Sequence, residues 1–147
     1  MVDYKGDRVK VDIICKEHGV FQQFPYAHEL GMGCSRCKMS HGERIIADYL
    51  NDHNIVYEVQ KKFDKCKYKR KLPFDFYLPF YNMCIEFDGK LHYESVKYYE
   101  GEEHLIEIQK KDDIKNKFCL NEGIILLRIP YEEMGHIKNI LNNHLKM

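Results

Sequence analysis

The chain has 147 residues, with 23 basic and 23 acidic side chains and a formal net charge of zero at pH 7. At this length we expect one domain, or a small module joined to a compact domain. The neutral balance argues against a constitutive nucleic-acid coat protein, but not against an enzyme that combines an acidic site with a basic patch. No segment is apolar over a membrane span and the first residues lack a signal-peptide pattern, so we expect a cytoplasmic protein.

Two pairs of potential metal ligands lie in the first forty or so residues. Cys15 and His18 form one pair, and Cys34 and Cys37 form the other, each with two residues between the donors. Cysteines of a cytoplasmic protein are reduced, so metal binding explains this spacing better than disulfides do. We therefore predict a zinc-binding module over residues 1–39, built on a β-hairpin, with these four side chains as the ligands.

Two other histidines compete for a place in this site. His41 could replace His18, and His28 lies in a predicted helical turn where it is structural or faces phosphate. A module of about forty residues buries little apolar surface, so a bound zinc ion would supply its folding free energy. The sequence leaves open whether the module binds DNA or only covers part of the domain that follows it in the chain.

Residues 40–147 predict an α/β domain in which a small mixed sheet is flanked by helices. Ser40 and Glu43 form a capping-box pattern at the start of the first helix. After that helix, hydrophobic periodicity predicts three extended segments, a helix, a buried strand and a terminal helix. The predicted segments are an extended run from Ile55, strands near 73–79 and 83–88, a helix over 103–120, a strand over 124–129 ended by Pro130, and a helix over 133–146.

Three carboxylates lie on the two central strands. Asp75 is on the first, and Glu86 and Asp88 alternate with apolar residues on the second, so the two acids share one face. Buried carboxylates are costly without compensation, and three acids on one strand pair would repel each other without a cation. A divalent ion is the usual compensation, which favours a metal site over the alternatives of a strand-end cap at Asp75 and a hairpin turn at Asp88 and Gly89.

Seven basic residues and one acid occupy residues 61–71. We predict DNA contacts within this tract, because aromatic residues are interleaved with its charges, although a solvated loop is the alternative. The candidate DNA-binding residues are Lys67, Lys69, Arg70 and Lys71. Further along the chain, we interpret Asp112 and Lys115 as a solvated helix pair, and Arg128 as either structural or phosphate-binding.

Five segments together carry a resemblance to a known family. They are Gly42 and Glu43, residues 74–79, residues 85–92, residues 109–115 and residues 123–130. Over roughly residues 40–131 the chain resembles the PD-(D/E)XK nuclease superfamily, and within it the branch of very short patch repair endonucleases and related phage or homing-type endonucleases. The segment from Val11 to Cys37 resembles a zinc-binding module that often precedes such nucleases in phage-encoded proteins.

The resemblance implies a restriction-endonuclease-like core and a metal-dependent cleavage of double-stranded DNA. Asp75 and Glu86 would ligate magnesium or manganese, with the backbone carbonyl of Phe87 as a third donor. Glu43 would approach from the helix, through water or a second metal ion. The products would carry 5′-phosphate and 3′-hydroxyl ends, and the natural setting would be a phage or a mobile element.

One position departs from the family pattern. The superfamily's lysine, two residues after the second acid, is replaced by Asp88. By resemblance we assign proton transfer to His92, with Lys90 as the reserve candidate and Asp88 as an extra ligand or the group that orients His92. A neutral histidine is also chemically suited to act as a base near neutral pH.

Two other functional classes stay open. A non-catalytic nucleic-acid-binding protein on a decayed nuclease fold is supported by the change at Asp88, and an RNA-directed nuclease is compatible with the same pattern. A monomer with one site would nick DNA, whereas a homodimer could cut both strands.

Overall fold

The computed structural model describes residues 6, 8–89 and 101–146. The chain divides into two compact units, which we call unit 1 and unit 2, between Arg44 and Ile45. This boundary falls inside the helix that covers His41–Asp52, whereas the predicted boundary, between residues 39 and 40, lies just before it. In the described ranges, every helix is too short or too polar to cross a membrane.

Unit 1 contains an antiparallel hairpin, as predicted. Strand β1 covers Val11–Cys15 and strand β2 covers Gly19–Gln23, with Ile13 opposite Phe21. Gly19 has a φ of +75°, a left-handed conformation that suits glycine at this tight turn. Two short helices follow, α1 over Pro25–Glu29 and α2 over Ser35–Lys38.

Helix α3 covers His41–Asp52 and begins with the predicted capping box. The backbone N–H of Ser40 donates to Glu43 Oε2 at 2.6 Å, and the N–H of Glu43 donates to Ser40 Oγ at 3.3 Å. This reciprocal pair satisfies two backbone donors that a helix N-terminus leaves without intrahelical partners. Within unit 2, the remainder of this helix buries Ile46 and Leu50 completely.

The four strands described in unit 2 form one mixed sheet in the order β3-β4-β5-β6. Neighbours β3, β4 and β5 are antiparallel, and β6 is parallel to β5. The strands are β3 Glu58–Lys67, β4 Lys71–Leu78, β5 Met83–Asp88 and β6 Ile125–Pro130. The prediction of a small mixed sheet is confirmed.

Two helices complete the described part of unit 2. Helix α4 covers Gly101–Glu122 and ends at Gly123, whose φ of +69° is typical of a glycine that terminates a helix. Helix α5 covers Ile137–Leu145 and is preceded by a 3₁₀ segment over Tyr131–His136. The predicted terminal helix therefore begins later than expected, because its first turn has 3₁₀ geometry.

The alternative of a solvated loop at residues 61–71 is wrong. Most of this basic tract is strand β3, followed by a tight turn and the first residue of β4. Phe63 anchors the strand, because its ring lies 5.7 Å from that of Phe74 and 5.2 Å from that of Phe118. The inward-facing Phe63 and Cys66 are three residues apart, across an irregularity in the pairing with β4, so the tract lacks the two-residue alternation that predicts a strand.

Candidate functional site

Four side chains in unit 1 form a compact donor cluster. The Sγ atom of Cys15 lies 3.6 Å from Cys37 Sγ and 3.6 Å from His18 Nδ1, and that nitrogen lies 3.7 Å from Cys34 Sγ and 3.3 Å from Cys37 Sγ. A tetrahedral zinc ion with the usual bond lengths separates two sulfurs by about 3.8 Å and sulfur from nitrogen by about 3.6 Å. The cluster can therefore hold a metal ion such as zinc.

Local backbone geometry places these donors. Cys15 ends β1 and His18 lies in the hairpin turn, while Cys34 precedes α2 and accepts the backbone N–H of Cys37 at 3.1 Å through its carbonyl oxygen. The side-chain amide of Gln23 donates to the carbonyls of Met32 at 3.2 Å and Gly33 at 3.3 Å. These bonds tie the end of the hairpin to the loop that carries the second donor pair.

The pKa values of two thiols in this cluster are shifted in opposite directions. The backbone N–H of Glu17 lowers the pKa of Cys15 to about 6, because a hydrogen bond to the thiolate stabilises it. The pKa of Cys37 is raised to about 11, because its thiol is hydrogen-bonded to Cys15. Metal binding requires thiolates, so Cys15 is already prepared for coordination.

The competing histidines lie outside the cluster. Among the described residues, the set Cys15, His18, Cys34 and Cys37 is the one group of three or more histidine, cysteine or acidic side chains with ligand atoms within 4.8 Å of each other. His28 lies in α1 and His41 begins α3. The structure therefore brings His18, and not His28 or His41, together with the three cysteines.

In unit 2, the carboxylates of Asp75 and Glu86 each accept a backbone N–H from the neighbouring strand where the β4–β5 ladder ends. The last paired residues are Phe76 and Ile85, and the register continued by one residue sets Asp75 opposite Glu86. There, Glu86 Oε2 accepts the backbone N–H of Asp75 at 3.3 Å, and Asp75 Oδ2 accepts that of Phe87 at 2.9 Å. Side-chain carboxylates thus replace the backbone pairing and are fixed at one point on the sheet.

Glu86 also has a cation partner within the chain. Lys115 of α4 places its Nζ atom on Glu86 Oε1, and the two side chains are only 13% and 6% exposed. The same Nζ atom lies 5.1 Å from the centre of the Phe74 ring. A buried carboxylate and a buried ammonium therefore neutralise each other beside the Asp75 backbone.

Asp88 is held by a second cation, Arg128 of β6. The Nη1 atom of Arg128 donates to Asp88 Oδ1 at 2.8 Å, and Nη2 lies 3.4 Å from both the backbone and the side-chain oxygen of Asp112. The Nε atom donates to Asn116 Oδ1 at 3.0 Å. Arg128 thus joins β5, β6 and α4, which favours the structural alternative for this residue.

One expectation about these charges is wrong. Asp112 and Lys115 are not a solvated helix pair, because Lys115 reaches Glu86 and Asp112 reaches Arg128. Two of the three strand acids, Glu86 and Asp88, have protein cations as partners in Lys115 and Arg128. The signal was the spacing of the residues at 112, 115, 116 and 119, which share one face of a helix.

Three further residues, Glu43, Lys90 and His92, were predicted to take part in the acidic site. Glu43 belongs to the capping box in unit 1, and Lys90 and His92 lie outside the described residues. No group of three carboxylates within reach of one ion occurs in residues 8–89 and 101–146. The acidic site that the structure describes therefore consists of Asp75 and Glu86 with Lys115, flanked by Asp88 and Arg128.

The turn between β3 and β4 forms an exposed basic tip, residues 67–70. The backbone N–H of Tyr68 donates to the carbonyl of Arg70 at 3.1 Å, and Lys69 Nζ lies 5.6 Å from the centre of the Tyr68 ring. Lys71 differs, because it pairs with Asp64 at 2.5 Å. Lys67 and Arg70 are exposed and have no acidic partner among the described residues.

Comparison with known proteins adds a match to the N-terminal part only. A family model described as "Protein of unknown function (DUF723)" matches residues 1–38, which include both donor pairs and the hairpin. No curated protein and no solved structure matches the chain.

Proposed function

We propose that this chain is a metal-dependent endonuclease that hydrolyses DNA phosphodiester bonds at Asp75 and Glu86. The observation that carries the proposal is a pair of cross-strand hydrogen bonds, from the N–H of Asp75 to Glu86 and from the N–H of Phe87 to Asp75, which fixes two carboxylates at one point on the sheet. The resemblance to PD-(D/E)XK nucleases assigns the metal ligands to these two positions.

The donor chemistry at this point fits a hard divalent ion. Mg²⁺ is usually held by one or two protein carboxylates, with water and substrate phosphate completing its coordination. Asp75 and Glu86 would hold the ion, with the carbonyl oxygen of Phe87 as a third donor. A bound magnesium or manganese ion would stabilise the charge that develops on the phosphate and lower the pKa of its bound water.

The chain's own residues would orient the substrate and move the proton. The Lys115 ammonium next to Glu86 adds a positive charge that favours an approaching phosphate. Asp88 would position Arg128 rather than replace the missing superfamily lysine. Proton transfer remains assigned to His92, with Lys90 in reserve.

The basic tip would bind the DNA backbone. Lys67, Lys69 and Arg70 are exposed side by side, and an exposed aromatic ring at Tyr68 adds a surface on which a base can stack. We propose these contacts for double-stranded DNA, with Lys71 contributing less because Asp64 already neutralises it. The setting in a phage or mobile element, and in the cytoplasm of the host cell, follows from the resemblance alone.

In unit 1 we propose a structural zinc ion. Three thiolates and one imidazole fill a tetrahedral shell, which leaves no position for water or substrate. The module would therefore contribute stability, not hydrolysis.

The proposal is tested by substrate choice. Zinc-loaded wild type and Glu86→Ala are incubated with supercoiled plasmid, single-stranded DNA and total RNA, each with magnesium or manganese. We expect relaxed or linear plasmid from the wild type and none from the variant. Nicked product indicates a monomer with one site, and linear product indicates cutting of both strands. RNA cleavage without DNA cleavage would instead favour the RNA-directed nuclease.

One observation favours a second candidate, a non-catalytic nucleic-acid-binding protein. Glu86 and Asp88 are already neutralised by Lys115 and Arg128, as in a structural ion-pair network. This candidate predicts that wild type and Glu86→Ala bind DNA equally and that neither cuts it.

A further inference from the structure

The place where a metal ion would sit on Glu86 is shared with a protein cation. Lys115 Nζ contacts Oε1, and the backbone N–H of Asp75 occupies Oε2 at 3.3 Å. Both side chains of the ion pair are largely shielded from water, where attraction between unit charges is strong. Any second cation at this carboxylate therefore meets the charge of Lys115.

We infer that Lys115 is the resident counter-ion of the Asp75–Glu86 site, and that a divalent cation binds there by displacing the ammonium from Oε1. This inference rests on the proposed function, because it assumes that Asp75 and Glu86 form a cation site. It assigns to Lys115 the control of metal affinity at that site.

The two cations of this region differ in how firmly they are held. Arg128 is fixed by Asn116, Asp88 and Asp112 through three of its nitrogen atoms. Lys115 has one ion pair and one aromatic neighbour, and its flexible four-carbon stem allows the charge to move while the backbone of α4 stays in place. Lys115 is therefore the cation that can yield to a metal ion.

The direct test is Mn²⁺ binding to the full, zinc-loaded chain, measured from the electron paramagnetic resonance signal of free Mn²⁺. Thiolate ligands favour zinc over manganese, so the site in unit 1 stays filled with zinc. We expect Lys115→Gln to bind Mn²⁺ about tenfold or more tightly than wild type, because a nearby positive charge is removed. Glu86→Gln should lose this binding.

Lys117→Gln is the matched control. Lys117 lies on the same helix but is 72% exposed and pairs with Asp113 at 2.7 Å. Its replacement removes the same formal charge, so a general charge effect would strengthen Mn²⁺ binding in both variants. We expect Lys117→Gln to change the affinity less than about twofold, because exposed charges are screened.

Removal of Lys115 leaves Glu86 buried without its ion-pair partner, so a bound cation is expected to stabilise the folded variant. Mn²⁺ should therefore restore the folded state of Lys115→Gln, seen as a rise in melting temperature that exceeds the rise for wild type. Failure of Mn²⁺ to restore folding would overturn the inference, since the ion would then be unable to take the place of the ammonium.

Cleavage of plasmid by the same samples separates the two proposals. If wild type cuts DNA but Lys115→Gln binds Mn²⁺ no more tightly, the role of Lys115 is wrong and the nuclease proposal stands. If Lys115→Gln gains affinity but wild type does not cut, the counter-ion role stands and the nuclease proposal falls. If neither protein binds Mn²⁺ at Glu86, both are wrong.

Discussion

Unit 1 and unit 2 both gather groups that attract cations, but they neutralise them differently. In unit 1, three cysteines and His18 converge, and within its described residues only Ala27 and Cys34 are buried apolar side chains. In unit 2, Glu86 and Asp88 are paired with Lys115 and Arg128 beside a core that includes Phe74. A metal ion is therefore expected to hold unit 1 together, whereas unit 2 can fold on its own charges.

The two units therefore give different evidence for a bound metal ion. A cluster of thiolates without protein cations indicates a metal by its composition alone. The paired carboxylates Glu86 and Asp88 do not, because Lys115 and Arg128 already neutralise them. A metal ion beside Glu86 would therefore serve chemistry rather than folding.

The largest effect is expected from Cys34→Ser. Zinc binding contributes about 10–16 kcal/mol in zinc-finger peptides, which exceeds what a module with so small a core can supply. We expect unit 1 to unfold and unit 2 to keep its cooperative transition, checked by limited proteolysis and by NMR spectra. His28→Gln, which changes a histidine outside the cluster, should leave the hairpin intact. A hairpin that persists in Cys34→Ser would contradict the account.

The next effect is expected from Lys115→Met without added divalent ions. It leaves Glu86 buried and unpaired, which costs about 3–5 kcal/mol. The double variant Glu86→Gln with Lys115→Met should recover much of this loss, because it removes both charges. Urea unfolding of unit 2 measures both values. Equal unfolding free energies of the single and double variants would show that an unpaired charge on Glu86 does not destabilise unit 2.

A smaller effect is expected at the basic tip. Replacing Lys67 and Arg70 by Gln should weaken DNA binding about equally for all sequences and reduce the slope of log K against log salt concentration by roughly 2, because each phosphate contact contributes about 0.9. Lys61→Gln is the control, because Lys61 pairs with Glu58 at 2.8 Å. An unchanged slope would show that Lys67 and Arg70 do not contact DNA phosphates.

The smallest effect is expected from Asp64→Asn, which breaks an exposed pair in the same unit. Lys71 lowers the pKa of Asp64 through a hydrogen bond and its charge. Since the folded-state pKa lies below the unfolded value of about 3.9, the contribution is present above that pH and is lost as the pH falls. Melting temperatures should differ slightly at pH 7 and not at pH 2. A loss as large as that for Lys115→Met would contradict the distinction between buried and exposed pairs.

Local patterns could be predicted from the sequence, and long-range pairs could not. The donor pairs of unit 1 are set by two-residue spacings within tight turns, and the capping box by a three-residue spacing, so both were found. The mixed sheet followed from the order of apolar segments. Lys115 and Arg128 reach acids 29 and 40 residues away, and only the packing of α4 and β6 against β5 brings them together.

The cation partners of Glu86 and Asp88 could not be predicted for the same reason. From the sequence, Glu86 and Asp88 were acids on a buried strand with no visible partner, so a metal ion was the natural compensation. Their partners came from elements whose positions a linear pattern does not give. The extended run predicted from Ile55 was not continued to Lys67, because Phe63 and Cys66 face inward three residues apart and break the two-residue alternation of a strand.

The central claim is that hydrolysis occurs at Asp75 and Glu86 with a metal ion distinct from that of unit 1. The most direct measurement is plasmid cleavage as a function of magnesium concentration at constant zinc content, for wild type and Glu86→Ala. We predict that wild-type cleavage rises with magnesium, and that Glu86→Ala retains one zinc ion per chain but does not cut. Cleavage that is independent of magnesium, or equal in the two proteins, would contradict the account.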